Sequence, residues 1–430
     1  MPDLNCNSKE RLARHEQHLR FWNRFYSPIS KWIRRKFNYS CDDLGSIEGP
    51  YFLLCNHNTD FDPIMVGVAI RNQAYFVASE HVLHKGSASR ALMRYLCPII
   101  HQKSRTSARS AMEMLRTLKA GCSVVLFPEG NRSFNGVTCE IPFATAKLVR
   151  KTGCKLVTMR LEGGYLTQPR WCLEKRKGRI YGRLVGVYEP EQLKAMSDQE
   201  LHEQICSDLH ENAFDRQRQI AEAEGSPVEF VGKTLAAGME STLFMCPTCG
   251  KIGTLNSNGE QIHCSCSFKA RFTSTGFFES CRFPSIYEWD VWQRKQLEQM
   301  IENANPEDSI PIFSDRISLQ LLGTDHKVFA SCNGELSAFS DGFGFTPSDL
   351  PVPIGGLAAG VRKSITLDDI AGLAIYSRNV IVTHVGEDEQ HCELRGGIHF
   401  NALKYKYAYD IIQSLAAMRA ESESSSKSKG

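Results

Sequence analysis

A histidine and an aspartate five residues apart, His57 and Asp62, stand in a polar turn between two apolar runs, Tyr51 to Cys55 and Ile64 to Ile70. Along one continuous helix that spacing would put the side chains roughly 140° apart, on different faces. A turn between them lets the chain fold back, so that the carboxylate reaches one imidazole nitrogen. The other nitrogen is then left as a general base near neutral pH. The plainer alternative is that Asp62 only caps a helix, with Pro63 at its first position, and His57 only serves a loop. Further along, the apolar run Ser123 to Phe127 leads into Pro128, Glu129, Gly130, Asn131, Arg132 and Ser133. An acid, a glycine and an arginine thus follow a strand end, in residues that a tight turn alone would also use. A third set is Cys246 and Cys249, then Cys264 and Cys266, with fourteen residues between the pairs. Two close thiolate pairs suit a tetrahedral structural zinc, four free thiols being the alternative.

These groups need elements to hold them. Tyr51 to Cys55 reads as a buried strand, and Asp62-Pro63 as the start of a helix running to Ile70. Ala108, Ala111, Met112, Leu115 and Leu118 mark a helical face that ends at Gly121. A strand over Ser123 to Phe127 follows, then a helix from Phe143 to Lys151 and a strand from Lys155 to Leu161. Leu201, Ile205 and Leu209 define a closing helix. Such alternation argues an α/β domain with a largely parallel sheet. Upstream, Leu19, Trp22 and Tyr26, then Ile29, Trp32, Ile33 and Phe37, fall at helical spacing and are interleaved with Arg and Lys. Two short amphipathic helices broken near Pro28, aromatic on one side and basic on the other, suit an anionic membrane surface. Packing on the domain is the other use of such a face.

The chain of 430 residues has room for several cores. Its 51 basic and 48 acidic residues give no global field that would attract nucleic acid, and none is expected as a partner. Residues 1–40 alone are basic, with nine Lys/Arg against three Asp/Glu. Sixteen cysteines, mostly isolated, together with a polar start to the chain, point to a reducing cytosol rather than a disulfide framework. No stretch reaches the roughly 18 apolar residues that span a bilayer.

In this order, each after a strand, the His-x4-Asp of His57 and Asp62 and the Phe-Pro-Glu-Gly-Asn-Arg-Ser of residues 127–133 resemble the 1-acylglycerol-3-phosphate acyltransferase (lysophospholipid acyltransferase) family, over about residues 20–220. The resemblance implies transfer of a fatty acyl group from a thioester, acyl-CoA or acyl carrier protein, to the free hydroxyl of 1-acylglycerol 3-phosphate, making phosphatidate. It implies His57 as base, Asp62 as its orienting carboxylate, and Glu129, Gly130 and Arg132 around the acceptor. Lys103 and Arg105 best fit the family's basic residue on the acceptor phosphate, at a position where arginine is usual. The family's last motif is poorly kept, since Val157 to Gly163 lacks its proline. The localisation implied is peripheral or monotopic, on the cytoplasmic face of a membrane that supplies the lysophospholipid. Glycerol 3-phosphate or another lysolipid is an alternative acceptor. A catalytically inert zinc-ribbon adaptor is the rival from another class.

The expected organisation is an amphipathic membrane-surface segment over 1–40 and the acyltransferase domain over 41–225. A small zinc ribbon (241–285) and a mostly β module (305–420) come next, strands followed by one helix resembling a pleckstrin-homology-like module. Residues 421–430, rich in Ser, Lys and Glu, are expected to be disordered.

Overall fold

The computed structural model describes residues 7–80, 87–101, 108–305, 310–323, 326–349, 357–385 and 390–427. The chain forms two compact units, Met1–Leu235 with Thr273–Phe277, and Ala236–Phe272 with Phe278–Gly430.

The first unit opens with α1 (Ser8–Phe37), β1 (Tyr39–Cys41), β2 (Tyr51–Cys55), α2 (Asp62–Ile70) and β3 (Tyr75–Ser79). Then come α3 (Ser87–Leu96), β4 (Ile99–His101), α4 (Ala108–Lys119), β5 (Val124–Leu126), α5 (Ala144–Thr152) and β6 (Lys155–Glu162). It closes with α6 (Gly164–Thr167), β7 (Ile180–Tyr188), α7 (Pro190–Ala195), α8 (Asp198–Leu209) and α9 (Ala213–Glu224). Seven strands make one sheet in the order β1-β7-β6-β2-β5-β3-β4. The β6–β7 pair is antiparallel and every other neighbouring pair is parallel, so the sheet is mixed. β7 returns along β6 because the link between them holds no crossover helix long enough to reverse it, only the single turn of α6.

All five residues of β2 are buried. Leu53 and Cys55 join a core layer with Val125, Val157, Met65 of α2 and Ile33 of α1. Phe52 and Leu54 join the opposite layer with Val124, Leu156, Met114 of α4 and Val149 of α5. A strand covered on both faces reads as a continuous apolar run, as Tyr51 to Cys55 does. The C-terminal ends of the neighbouring parallel strands β2, β5 and β6 therefore lie side by side, where open α/β sheets hold their ligands.

Three local expectations change. Residues 8–37 form one helix with Pro28 inside it, not two broken there. An Asn7–Glu10 capping box starts it. Packing on its neighbours, with Ile33 and Phe37 in the core, offsets the lost backbone bond at Pro28. Buried Arg11 adds a clasp: Nε donates to Cys97 O (2.9 Å), Nη2 to Pro98 O (3.0 Å) and Nη1 to Glu113 Oε2 (3.0 Å). At α2, Phe61 is the N-cap and Asp62 the first helical residue, so Asp62 does not cap the helix. Among the described cysteines, Cys97 is disulfide-bonded, an exception to the expected set of free thiols.

Thr273–Phe277 completes the first unit from far along the chain. Gln217 Nε2 donates to Thr275 O at 2.7 Å, and the Phe277 ring lies 6.1 Å from that of Phe214. Gly276 has φ +90°, and a Cβ there would meet Leu166 at 2.8 Å, so the turn needs glycine twice over.

The second unit begins with β8 (Leu255–Asn258), β9 (Gln261–Cys264), β10 (Lys269–Phe272) and β11 (Phe278–Glu279), a four-stranded antiparallel sheet, and continues with α10 (Ile286–Asn303). Seven strands follow: β12 (Phe313–Leu322), β13 (Val328–Ala338), β14 (Gly342–Pro347), β15 (Lys363–Thr366), β16 (Ile370–Tyr376), β17 (Val380–Val385) and β18 (Gln390–Gly396). They form an antiparallel sheet in the order β15-β14-β13-β12-β18-β17-β16. The last helix, α11 (Ala402–Lys427), runs on into the Ser/Lys/Glu tail expected to be disordered. No helix among the described residues is long and apolar enough to cross a membrane.

Candidate active site

His57 leaves the end of β2, and its Nδ1 lies 2.8 Å from Asp62 Oδ2. The same oxygen accepts from the backbone N–H groups of Asn58 (2.6 Å) and Thr59 (2.9 Å), while Oδ1 accepts from Thr59 Oγ1 (2.6 Å). The carboxylate is 1% exposed, and four donors satisfy it. An ionised carboxylate only accepts, so Nδ1 carries the proton and Nε2 presents its lone pair. Phe127, the residue after β5, stacks on the imidazole with centroids 4.7 Å apart and fixes the ring plane.

Asn56, just after β2, ties that turn to β6. Its Nδ2 donates to Leu161 O at 3.0 Å, and its Oδ1 accepts from Leu161 N at 2.7 Å. Asn58 Nδ2 donates to the same carbonyl at 3.1 Å. The signal was present in the two asparagines flanking His57, but nothing in their spacing names a partner a hundred residues away.

Glu129 is buried, and each of its oxygens meets a backbone amide, Oε1 that of His57 (2.5 Å) and Oε2 that of Cys139 (2.6 Å). Burial pushes its carboxyl up to about 8 against the pull of those two donors. Its geometry is that of a brace for the His57 turn. Gly130 has φ +64°, the left-handed conformation a side chain disfavours, and this lets the chain reverse after β5. Ser133 N donates to His57 O at 3.0 Å, so the 127–133 turn closes on the His57 turn.

Arg132 lies at this junction with Nη1 3.6 Å from Asp60 Oδ1, beyond hydrogen-bond reach. Nη1 is buried and has no hydrogen-bond partner among the described residues. Arg170, which no motif marks, is buried behind it, with Nη1 donating to Asn131 Oδ1 (3.2 Å) and Arg132 O (3.4 Å). Lys103 and Arg105 lie outside the described residues.

In the second unit, Cys246, Cys249, Cys264 and Cys266 bring their sulfur atoms within 4.8 Å of one another. Cys246 and Cys266 are 3.6 Å apart, and Cys249 and Cys264 3.9 Å. Ligands 2.3 Å from a tetrahedral zinc stand about 3.8 Å from each other, so this donor set fits a metal ion.

Residues 32–162 match the family model described as Acyltransferase. Comparison with curated proteins found no match. Among solved structures, the crystal structure of the 1-acyl-sn-glycerophosphate (LPA) acyltransferase PlsC from Thermotoga maritima is 20% identical with a TM-score of 0.38, over 48% of this chain and 79% of that one. The family match spans both turns that meet at His57, and the resemblance carried by their motifs therefore stands: this chain contains an acyltransferase domain within its first unit.

Proposed function

We propose that the protein transfers a fatty acyl group from an acyl thioester to the free hydroxyl of 1-acylglycerol 3-phosphate, making phosphatidate. The 2.8 Å contact between His57 Nδ1 and Asp62 carries this reading. With Nδ1 committed, Nε2 takes the proton of the acceptor hydroxyl as its oxygen attacks the thioester carbonyl. The tetrahedral intermediate collapses, the C–S bond breaks, and the departing thiolate takes the proton back from His57. No enzyme nucleophile is needed. Asp62 holds the tautomer and stabilises the transient imidazolium, as the carboxylate of a hydrolase triad does. Arg132, with a buried nitrogen that has no hydrogen-bond partner among the described residues, supports a role on the acceptor phosphate. Glu129 and Gly130 then shape the acceptor side through the backbone.

The lysolipid reading also supports a membrane-surface role for α1, where Phe25 and Trp32 are exposed beside Lys31, Arg35 and Lys36. The four cysteines would hold one structural zinc, and a closed thiolate set leaves it no open position for catalysis. Seven antiparallel strands closed by one helix support the pleckstrin-homology-like reading of residues 305–420.

Acyl transfer by the purified chain, given lysophosphatidate with acyl-CoA or acyl-acyl carrier protein, tests the reading. In His57→Ala, kcat is expected to fall by about 10²–10⁴, the range for a general base, with metal content unchanged. Turnover that survives this substitution would remove His57 as the base.

A further inference from the structure

A cavity of about 460 Å³ lies within the second unit, on residues that no motif marks. That volume is enough for a small molecule. It is lined by residues flanking and inside the four-stranded sheet, by β12, and by the link from β18 to α11. Leu243, Phe244, Leu255 and Phe400, all buried, give it an apolar floor. Ile398 also lines it and is 64% exposed, which puts it at the mouth. Two ion pairs stand on the same lining. Lys404, buried, donates from Nζ to Asp315 Oδ2 at 2.7 Å. An ammonium has three N–H bonds, so Lys404 keeps donors beyond that one. Glu240, also buried, holds His399 Nδ1 at 2.7 Å. An ionised carboxylate only accepts, so the neutral imidazole keeps Nε2 as an acceptor. Asn401 fixes the two pairs against each other: Nδ2 donates to Glu240 O and Oδ1 accepts from Lys404 N, both at 2.9 Å.

We propose that this cavity binds an uncharged, hydroxyl-bearing lipid, a monoacylglycerol, with its glycerol on the polar lining and its chain on the apolar floor. The proposal stands apart from the acyl-transfer reading, since no residue of that site lines the cavity. Charge decides against an ionic head. Two carboxylates, Glu240 and Asp315, balance two cations, Lys404 and Arg316. An ion entering there gives up its hydration without meeting a surplus of opposite charge. A hydroxyl both donates and accepts. It therefore suits a lining that offers the Lys404 N–H bonds beside Asp315 and the lone pair of His399. A wholly apolar guest would displace water from those groups and leave them unsatisfied. A wholly polar one would leave the floor wet, with no apolar surface to bury there. Glycerol joined to one acyl chain meets both demands.

Calorimetric titration of the full chain with monomeric 1-octanoylglycerol, octanoate and 1-octanol tests the proposal, and hydrogen exchange locates the site. The glycerol ester is expected to bind about tenfold more tightly than octanoate or octanol, the order of one added hydrogen bond. It should slow exchange in residues 240–244, 253–256 and 397–404 while β2 exchanges as before. Lys404 is left in place, because its removal would strand Asp315 as a lone buried charge. Ile398, being exposed, can change without disturbing the core. Ile398→Asp is expected to weaken the glycerol ester about tenfold, since the chain must then pass a carboxylate at the mouth. Octanoate or octanol binding as tightly as the ester would overturn the proposal, as would equal affinity in Ile398→Asp. Protection confined to residues 56–62 would place the lipid in the first unit and overturn it too. Absence of binding by the ester removes it outright.

Discussion

Glu129, in the turn after β5, is held between two backbone amides. Both its oxygens are spent on backbone amides, one of them that of His57. A glutamine has one acceptor oxygen, so Glu129→Gln must turn an amide N–H₂ toward one of those donors. We expect kcat to fall at least about tenfold with KM for the acceptor nearly unchanged, because one buried donor loses its partner and the base shifts. A KM effect with kcat intact would place Glu129 on the substrate instead. The same residue has a pH signature. An unfolded glutamate ionises near 4.5 and the folded one only near 8. Across that window the folded state holds more protons, so its stability falls as pH rises. Thermal melts from pH 6 to 8 should show the midpoint declining, and declining less in Glu129→Gln. A steeper decline in the variant would reverse the assignment.

Among elements, α1 is the one sequence reasoning read least well. Helical periodicity in its apolar positions was plain, yet Pro28 suggested a break because a proline's local cost is visible in sequence and tertiary packing is not. Arg11 was equally opaque. In the sequence it is one more basic residue of a polar stretch, and in the fold it is 1% exposed and paired with Glu113. Removing one partner of such a buried pair typically costs about 3 kcal/mol or more, and here two backbone carbonyls also lose a donor. Arg11→Met is therefore expected to lower the denaturant midpoint of the first unit and to speed hydrogen exchange along residues 8–37. Unchanged protection there would mean that the clasp contributes nothing to holding α1. The strands are the opposite case. Tyr51 to Cys55 was legible because burial on both faces leaves only apolar side chains to choose from. The antiparallel β7 was not, since no residue in it announces direction.

On the scale of the whole molecule, the contact between His57 and Asp62 was legible from spacing. The groups that surround it were not, because Asn56–Leu161 and Arg132–Arg170 are contacts between strand ends and loops far apart in sequence. The cysteine pairs were legible for the same reason as His57 and Asp62: their chemistry demands short spacings. If they hold one metal ion, exhaustive chelation should release about one equivalent of zinc per chain, as one closed four-thiolate site implies. It should also accelerate hydrogen exchange in β8–β11 while leaving β2 and β6 of the first unit protected. Release of zinc without any change in β8–β11 would argue against a structural ion.

The short segment Thr273–Phe277 bears on how such a protein could be assembled in evolution. Its threonine carbonyl and phenylalanine ring complete a unit whose other residues all precede position 236. The genetic boundary between the two halves is thus not a single point. A gene fragment encoding residues 1–235 would translate into a unit lacking the Thr275 carbonyl that Gln217 donates to and the Phe277 ring beside Phe214. A recombination event that swapped everything after residue 235 would have to bring an equivalent turn with it. The two halves are therefore expected to be gained or lost together.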